Sequence, residues 1–97
     1  MMNTRELLRK KRAEILAIAA KHGASNVRIF GSVARSEDTT TSDVDILVDM
    51  HGDRSLLDLV ALKQDIEELL GRRADVLTEE SISRYLRDRI RAQARPL

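Results

Sequence analysis

The strongest strand signal in this sequence is Asp43-Val44-Asp45-Ile46-Leu47-Val48-Asp49. Side chains of a strand alternate between its two faces, so the β-branched residues share one face and the carboxylates share the other. The first face consists of Val44, Ile46 and Val48, and the second of Asp43, Asp45, Leu47 and Asp49. We therefore predict a strand that buries an apolar face and presents acidic groups on the opposite side.

Before this strand, apolar periodicity predicts a helix followed by a short strand, which is the first strand along the chain. The helix is expected to begin near Asn3, which has the capping-box spacing to Glu6, and to run as one element to Gly23. Residues 27–30 then form a short strand. Residues 33–42 begin with a helical turn and continue as a polar, Thr-rich loop.

After the acidic strand, a second long helix is predicted from Ser55 to Gly71, and residues 74–77 form a third strand. Thr78 is expected to cap a last helix. The apolar stripe of that helix is Ile82, Tyr85, Leu86 and Ile90. The predicted order is α-β-(short α)-β-α-β-α, an α/β (α+β) fold with a small mixed three-stranded sheet flanked by helices.

Composition limits the possible functions. The chain has 97 residues, which we expect to form one domain over 1–97, with 42% apolar and 34% charged residues. Aromatic residues make up only 2%, which argues against a stacking platform for direct nucleic-acid binding. The absence of Cys excludes disulfides and thiolate metal sites. No apolar run is long enough for a membrane span and the start does not resemble a signal peptide, so we expect a cytoplasmic protein.

The net charge of +1 conceals an uneven distribution. Residues 5–21 contain six bases and two acids, whereas residues 37–53 contain six acids and no Lys or Arg. From Arg84 onward there are five arginines and one acid. An acidic middle between basic ends indicates where a cation would bind.

Three carboxylates are candidates for that cation site. Asp43 and Asp45 are two residues apart on one strand, so their side chains leave the same face. Asp75 lies in the third predicted strand and comes level with them if the two strands are neighbours. Carboxylates held close together repel each other, and a divalent cation removes that conflict. Mg²⁺ commonly binds one or two protein carboxylates together with substrate phosphates.

Gly31 and Ser32 follow the first predicted strand directly and are candidates for phosphate binding. A Gly allows the backbone to approach a ligand, and the amides at a helix start favour anions. The Ser32 hydroxyl can donate to a phosphate oxygen, and Arg35, one turn later, can add a charge-assisted contact. Arg35 is equally explained as a surface ion-pair partner.

The sequence contains Gly31-Ser32, then ten residues, then Asp43-Val44-Asp45. This arrangement resembles the Gly-Ser-x-Asp-x-Asp pattern of the DNA polymerase β-like nucleotidyltransferase superfamily, and Asp75 matches its third carboxylate. The residues around Gly31 and the short chain look like the minimal nucleotidyltransferases (MNT proteins) of bacteria and archaea. The resemblance covers roughly residues 5–90. The sequence departs from the commonest pattern at Ser36, where Gly is usual.

The resemblance implies that Asp43 and Asp45 ligate two Mg²⁺ ions. It also implies that Asp75 completes one metal site and acts as general base toward the incoming hydroxyl. Gly31 and Ser32 would hold the β- and γ-phosphates of a nucleoside triphosphate. The implied reaction transfers AMP from ATP and releases pyrophosphate.

The resemblance also implies a partner. In MNT proteins the acceptor is a tyrosine hydroxyl on a HEPN-domain toxin, and the modification silences the toxin's RNase activity. The chain would then act as an antitoxin in a hetero-oligomer. Two other functions stay open: a module that neutralises its partner by binding alone, and a transferase for a small molecule such as an aminoglycoside. The second usually needs an additional domain, so the short chain favours a protein acceptor.

Other charged or aromatic residues have plainer explanations. Asp49 is predicted to be a solvated carboxylate at a strand end, and residues 9–12 the solvated or partner-docking side of a helix. His22 suits the negative end of a helix dipole, and His51 lies in a turn, so neither is favoured as a ligand. Tyr85 shares an apolar stripe, which favours a core or interface position over a role as modification acceptor.

Overall fold

A computed structural model describes residues 3–34 and 43–97 of the chain. The polar loop predicted for residues 37–42 lies outside this described part. The helices are α1 (Thr4–Lys10), α2 (Arg12–Lys21), α3 (Gly31–Ala34), α4 (Leu56–Leu70) and α5 (Arg84–Gln93). The strands are β1 (Ala24–Phe30), β2 (Val44–Met50), β3 (Ala74–Thr78) and β4 (Arg95–Pro96), with a 3₁₀ turn at Glu79–Ser81.

The sheet is mixed, as predicted, but it has four strands in the order β3-β2-β1-β4. Strand β1 is antiparallel to both β2 and β4, whereas β2 and β3 are parallel. The prediction of three strands was wrong because β4 has only two residues, Arg95 and Pro96. Such a segment shows no alternating pattern, and Pro, which cannot donate to a ladder, is compatible only with a sheet edge.

The first helix begins as predicted, but it is not a single element. The Asn3 side-chain oxygen accepts a hydrogen bond from the Glu6 amide at 2.8 Å, which caps α1. The helix is interrupted at Lys11, where φ is −95° and ψ is 6°, and α2 starts at the next residue. Apolar periodicity continues across this interruption, so the pattern alone does not reveal it. Gly23 follows α2 with φ of +77°, as expected for a residue that ends a helix.

The larger core lies between one face of the sheet and helices α2 and α4. Its buried residues come from every major element except α5. They are Leu8, Ile15, Ala19, Ala24, Val27, Val33, Val44, Ile46, Val48, Leu62, Ile66, Leu70, Ala74 and Val76. The apolar face predicted for β2 is therefore the face that enters this core. The opposite face is left for the acidic residues and for a smaller apolar cluster.

The smaller cluster consists of Phe30, Leu47 and Ile82, with Ile90 of α5 packed against it. Helix α5 therefore covers part of the sheet face that also carries the acidic residues. The prediction that Thr78 caps this helix was wrong: Thr78 Oγ1 accepts from the Ser81 amide and caps the 3₁₀ turn instead. A Thr followed by polar residues has the same cap signature before either kind of helix.

Ser83 is the N-cap residue of α5. Tyr85, predicted to share a buried stripe, is 93% exposed, so a core position is excluded for it. Leu86 is 47% exposed. The face of α5 that packs on the sheet carries Ile90 instead. None of the helices within residues 3–34 and 43–97 has the length and apolar composition needed to cross a membrane.

Glu79 joins α5 to the sheet. Its Oε1 accepts from Arg91 Nε of α5 at 2.8 Å and from Arg28 Nη1 of β1 at 3.3 Å. Arg28 also donates through Nη2 to Asp49 Oδ1 at 2.7 Å. The Arg91 hydrogen bond, supported by Arg28, lowers the pKa of Glu79 from 4.5 to about 2. The carboxylate is thus held ionised between two guanidinium groups in the folded chain.

We expect the stability of the protein to fall as the pH drops from 4.5 toward about 2, because Glu79 takes up a proton more readily in the unfolded chain. Above pH 4.5 this contribution is fully present. Urea unfolding at a series of pH values should show the loss in the native protein and a weaker dependence in Glu79→Gln. The exposed neighbour provides the control, Glu80→Gln, which should keep the native profile. An unchanged profile in Glu79→Gln would contradict this account.

The buried face of α4 leads to a second prediction about stability. Leu62 is fully buried, whereas Leu57 on the same helix is 79% exposed. Leu62→Ala should lower the free energy of unfolding by about 2–5 kcal/mol, because it leaves a cavity. Leu57→Ala makes the same chemical change and should shift it by no more than about 0.5 kcal/mol. Denaturant titrations of both variants test this difference, and equal losses would show that the burial is wrongly assigned.

Candidate active site

The register of β2 and β3 places two of the predicted carboxylates side by side. Asp45 and Asp75 are partners across the parallel ladder. Neighbouring strands lie about 4.8 Å apart, and partners in such a ladder project to the same face. Asp45 is half-buried and Asp75 is exposed, so the pair is open to solvent at one side. The sequence predicted this proximity only if the two strands were neighbours, and the sheet order shows that they are.

Gly31 stands directly against the Asp45 carboxyl group. It follows Phe30, which is the partner of Asp45 across the antiparallel ladder between β1 and β2. A Cβ built on Gly31 would lie 3.0 Å from Asp45 Cγ and closer still to Oδ2. Its φ of +75° is also one that other residues rarely adopt. Both the space and the backbone therefore require glycine at this position.

Ser32 is the second residue of α3 and is half-buried beside Gly31. The helix is anchored by Val33, which is 1% exposed and belongs to the larger core. A rigid attachment of this kind fixes the direction of the backbone at Gly31 and Ser32. Arg35, predicted as a phosphate contact, lies outside the described residues, and its role stays a prediction.

Asp43 immediately precedes β2 and is 39% exposed at its side chain. Its Oδ1 lies 3.9 Å from Nε of Arg73, whose side chain is 87% exposed. An ion pair this open contributes little to stability, about 0–1 kcal/mol at most. Sequence reasoning missed Arg73. Its neighbour Ala74 is the ladder partner of Val44, which puts Arg73 level with Asp43.

Glu67 is a second residue that the sequence did not single out. Its Oε2 accepts from the Ala74 amide at 2.9 Å, and its Oε1 accepts from Lys63 Nζ at 3.1 Å. The Ala74 hydrogen bond is the main cause of a lowered pKa at Glu67. Because Ala74 is the first residue of β3, this contact holds the start of the strand that carries Asp75.

Within residues 3–34 and 43–97, no three His, Cys, Asp or Glu side chains are grouped closely enough to hold a metal ion by themselves. The structure thus brings together Asp45 and Asp75, with Asp43 at the edge, but not a closed set of protein ligands. Oxygen ligands for a cation at this place must come in part from a substrate or from water.

Two of the three remaining candidates have structural partners. His22 Nε2 lies 2.6 Å from Asp65 Oδ2 and joins the end of α2 to α4. Asp49 accepts from Arg28 and, at 3.1 Å, from Asn26 Nδ2. His51 is exposed. His22 and Asp49 thus have partners within the fold that the sequence explanations did not include.

The close approach at Gly31 has a measurable consequence. Gly31→Ala should be more destabilising than Gly71→Ala, because both positions have positive φ but only Gly31 faces a carboxylate. Gly71 has no atom within 4 Å of a built Cβ, so its substitution should cost only the backbone strain of about 1–2 kcal/mol. Chemical unfolding of the two variants gives the difference directly. Equal losses would mean that Asp45 does not press against Gly31.

Comparison with known proteins identifies the family to which this site belongs. The nucleotidyltransferase domain family matches residues 9–97. A protein of Methanocaldococcus jannaschii, provisionally named protein adenylyltransferase MJ0435, is 50% identical over 93 residues, covering 96% of each chain. A solved structure provisionally described as a minimal nucleotidyltransferase superposes with a TM-score of 0.86 at 44% identity, covering 95% of this chain and 94% of its own.

A more distant structure shares the fold. It is described as a toxin–antitoxin with AMP-PNP, and its TM-score is 0.73 at 21% identity, covering 90% of this chain and 69% of the other. The fold predicted by resemblance is therefore confirmed, with the fourth strand as an addition. Because the family match extends over nearly the whole sequence, the chain belongs to the nucleotidyltransferase domain family.

Proposed function

We propose that this nucleotidyltransferase transfers AMP from ATP to a hydroxyl group of a partner toxin, and thereby acts as its antitoxin. The observation that carries the proposal is the register of Asp45 with Asp75, combined with Gly31 pressed against Asp45. Two carboxylates and a backbone turn that begins with glycine lie together at one edge of the sheet. This arrangement suits a nucleoside triphosphate and its counterions. The acceptor we propose is a tyrosine of a HEPN-domain protein.

The phosphate side of the site is assigned to Gly31 and Ser32. The absent Cβ of Gly31 lets its backbone lie directly against the Asp45 carboxyl group. The Ser32 hydroxyl donates to a β- or γ-phosphate oxygen, and Arg35 adds a charge-assisted contact to the same group. Because Val33 anchors the short helix in the core, the donors at Gly31 and Ser32 are held in place before the nucleotide arrives.

The donor set fits Mg²⁺. The candidate ligands Asp43, Asp45 and Asp75 are all carboxylates, and the described residues contain no closed ligand cage. Mg²⁺ is usually held by one or two carboxylates together with substrate phosphates and water, which is what an open pair of this kind provides. When bound, two such ions neutralise charge on the attacking and leaving oxygens.

The proposed transfer forms one bond to phosphorus and breaks another. The tyrosine oxygen of the acceptor bonds to the α-phosphorus of ATP, and the bond from that phosphorus to the bridging oxygen breaks, releasing pyrophosphate. Asp75 takes the hydroxyl proton as general base. Its exposure on the open side of the pair suits it to meet an acceptor that arrives from solvent. Asp45, half-buried against Gly31, is better placed to hold the nucleotide side.

The relatives support a protein acceptor. The name of the Methanocaldococcus jannaschii relative describes transfer of adenylyl groups to protein. The more distant structure is described as a toxin–antitoxin pair with a nucleotide analogue. Exposed apolar side chains on α4 and α5, Leu56, Leu57 and Tyr85, offer surface for a partner of this kind.

The test is incubation of the chain with ATP, Mg²⁺ and the co-encoded partner, followed by intact-mass measurement of the partner. We expect increments of one or more AMP units. Asp45→Asn and Asp75→Asn should each slow the transfer by about 10²-fold or more, because they remove ligand or base. Asp49→Asn is the matched control on the same face of β2, and it should stay within about threefold since Asp49 belongs to a surface ion pair.

An unmodified partner mass, or an equal loss in Asp49→Asn, would contradict the proposed activity. The alternative is an antitoxin that neutralises its partner by binding alone. It predicts that the double variant Asp43→Ala/Asp45→Ala still suppresses toxicity while no AMP is transferred. The enzymatic proposal predicts that suppression is lost with the carboxylates.

A further inference from the structure

A cavity of about 270 Å³ opens on the opposite side of the sheet from the carboxylate pair. Its lining combines four arginines with an apolar floor. The arginines are Arg5, Arg9, Arg12 and Arg95, and the other lining residues are Leu8, Ile29, Val33, Ala34, Pro96 and Leu97. Ile29 and Phe30 are adjacent on β1 and point to opposite faces, so the cavity is separate from the site at Asp45.

The charge around this cavity is unbalanced. Among the described lining residues none has an acidic side chain, and the anionic group is the carboxyl end of Leu97, whose oxygen accepts from Arg12 Nε. Within the described part of the chain, Arg5 and Arg9 make no hydrogen bond or ion pair, and Arg95 Nη1 donates only to the backbone oxygens of Ala92 and Ala94. Arginines that outnumber their counter-charges raise the local potential, and a bound anion relieves it.

We propose that this cavity binds a nucleoside monophosphate. A phosphate monoester carries a charge near −2 and three acceptor oxygens, which matches several guanidinium groups better than a single carboxylate does. Arg12 Nε donates to the Leu97 oxygen at 3.0 Å, so one wall of the cavity is held in place. Ile29 and Ala34 provide an apolar surface on which a planar base can lie.

The size of the cavity decides between ligand classes. At about 270 Å³ it is slightly smaller than most pockets for drug-sized ligands, which start near 300 Å³. It suits one nucleotide rather than a nucleic-acid strand. Ala34 and Val33 belong to the same short helix as Gly31 and Ser32, so the bound ligand contacts the far end of the helix that begins the candidate active site. The proposal rests on the cavity and does not depend on the proposed transfer activity.

The test is an NMR titration of the full chain with AMP, adenosine or inorganic phosphate, with methyl groups as reporters. AMP should shift the methyl signals of Leu8, Ile29 and Val33, and it should do so equally in Asp45→Asn, which separates this site from the carboxylate pair. Inorganic phosphate should shift the same signals more weakly, and adenosine should have the least effect. Shifts restricted to residues beside Asp45 and Asp75, or none, would overturn the proposal without testing adenylyl transfer.

Two double variants test whether the arginines of the cavity bind AMP. Arg5→Gln/Arg9→Gln should weaken AMP binding by about tenfold or more, since two charge-assisted contacts are lost. Lys10→Gln/Lys21→Gln removes the same charge from exposed positions of α1 and α2 that do not line the cavity, and should change it by no more than about twofold. Equal losses in both variants would indicate general charge attraction and overturn the proposal. Tighter binding of a short RNA than of AMP would do so as well.

Discussion

The parallel pairing of β2 with β3 is the constraint on which the rest of the site depends. It aligns Asp45 with Asp75, and a shift by one residue would turn one of the two carboxylates into the core. The register is enforced from the other face, where alternate residues of both strands are buried against α2 and α4. Glu67 adds a direct contact at the start of β3 through the Ala74 amide. Burial of one sheet face therefore fixes the positions of the two carboxylates on the other face.

The turn between β1 and α3 is the second half of the same arrangement. Strand β1 is antiparallel to β2, so its end meets the start of β2 and brings Gly31 against Asp45. Only glycine fits there, because of both the left-handed backbone and the neighbouring carboxylate. The residues that would hold phosphate thus lie beside the residues that would hold its counterion. The two halves of the motif are distant in sequence and adjacent in the sheet.

Much of the fold could be predicted because its signals are local. The capping contact of Asn3 with Glu6, the acidic strand and the long helix ending at Gly71 were confirmed within a residue or two. The errors occurred where no local signal exists. The interruption at Lys11 does not break apolar periodicity, and the two-residue strand at Arg95 is too short to alternate. The exposure of Tyr85 depends on which side of α5 meets the sheet, and that side is determined by packing.

By itself, the sequence determined the nucleotidyltransferase motif and the types of residue at the candidate site, because those depend on residue identity and spacing along the chain. Only the tertiary structure decided that Asp45 faces Asp75, that Glu67 supports β3 and that Arg73 lies beside Asp43. It also decided that arginines from both ends of the chain line one cavity. Except for the contact of Glu67 with Ala74, which are seven residues apart, these contacts join segments far apart in sequence. Their geometry is set by strand order and register, which no single segment encodes.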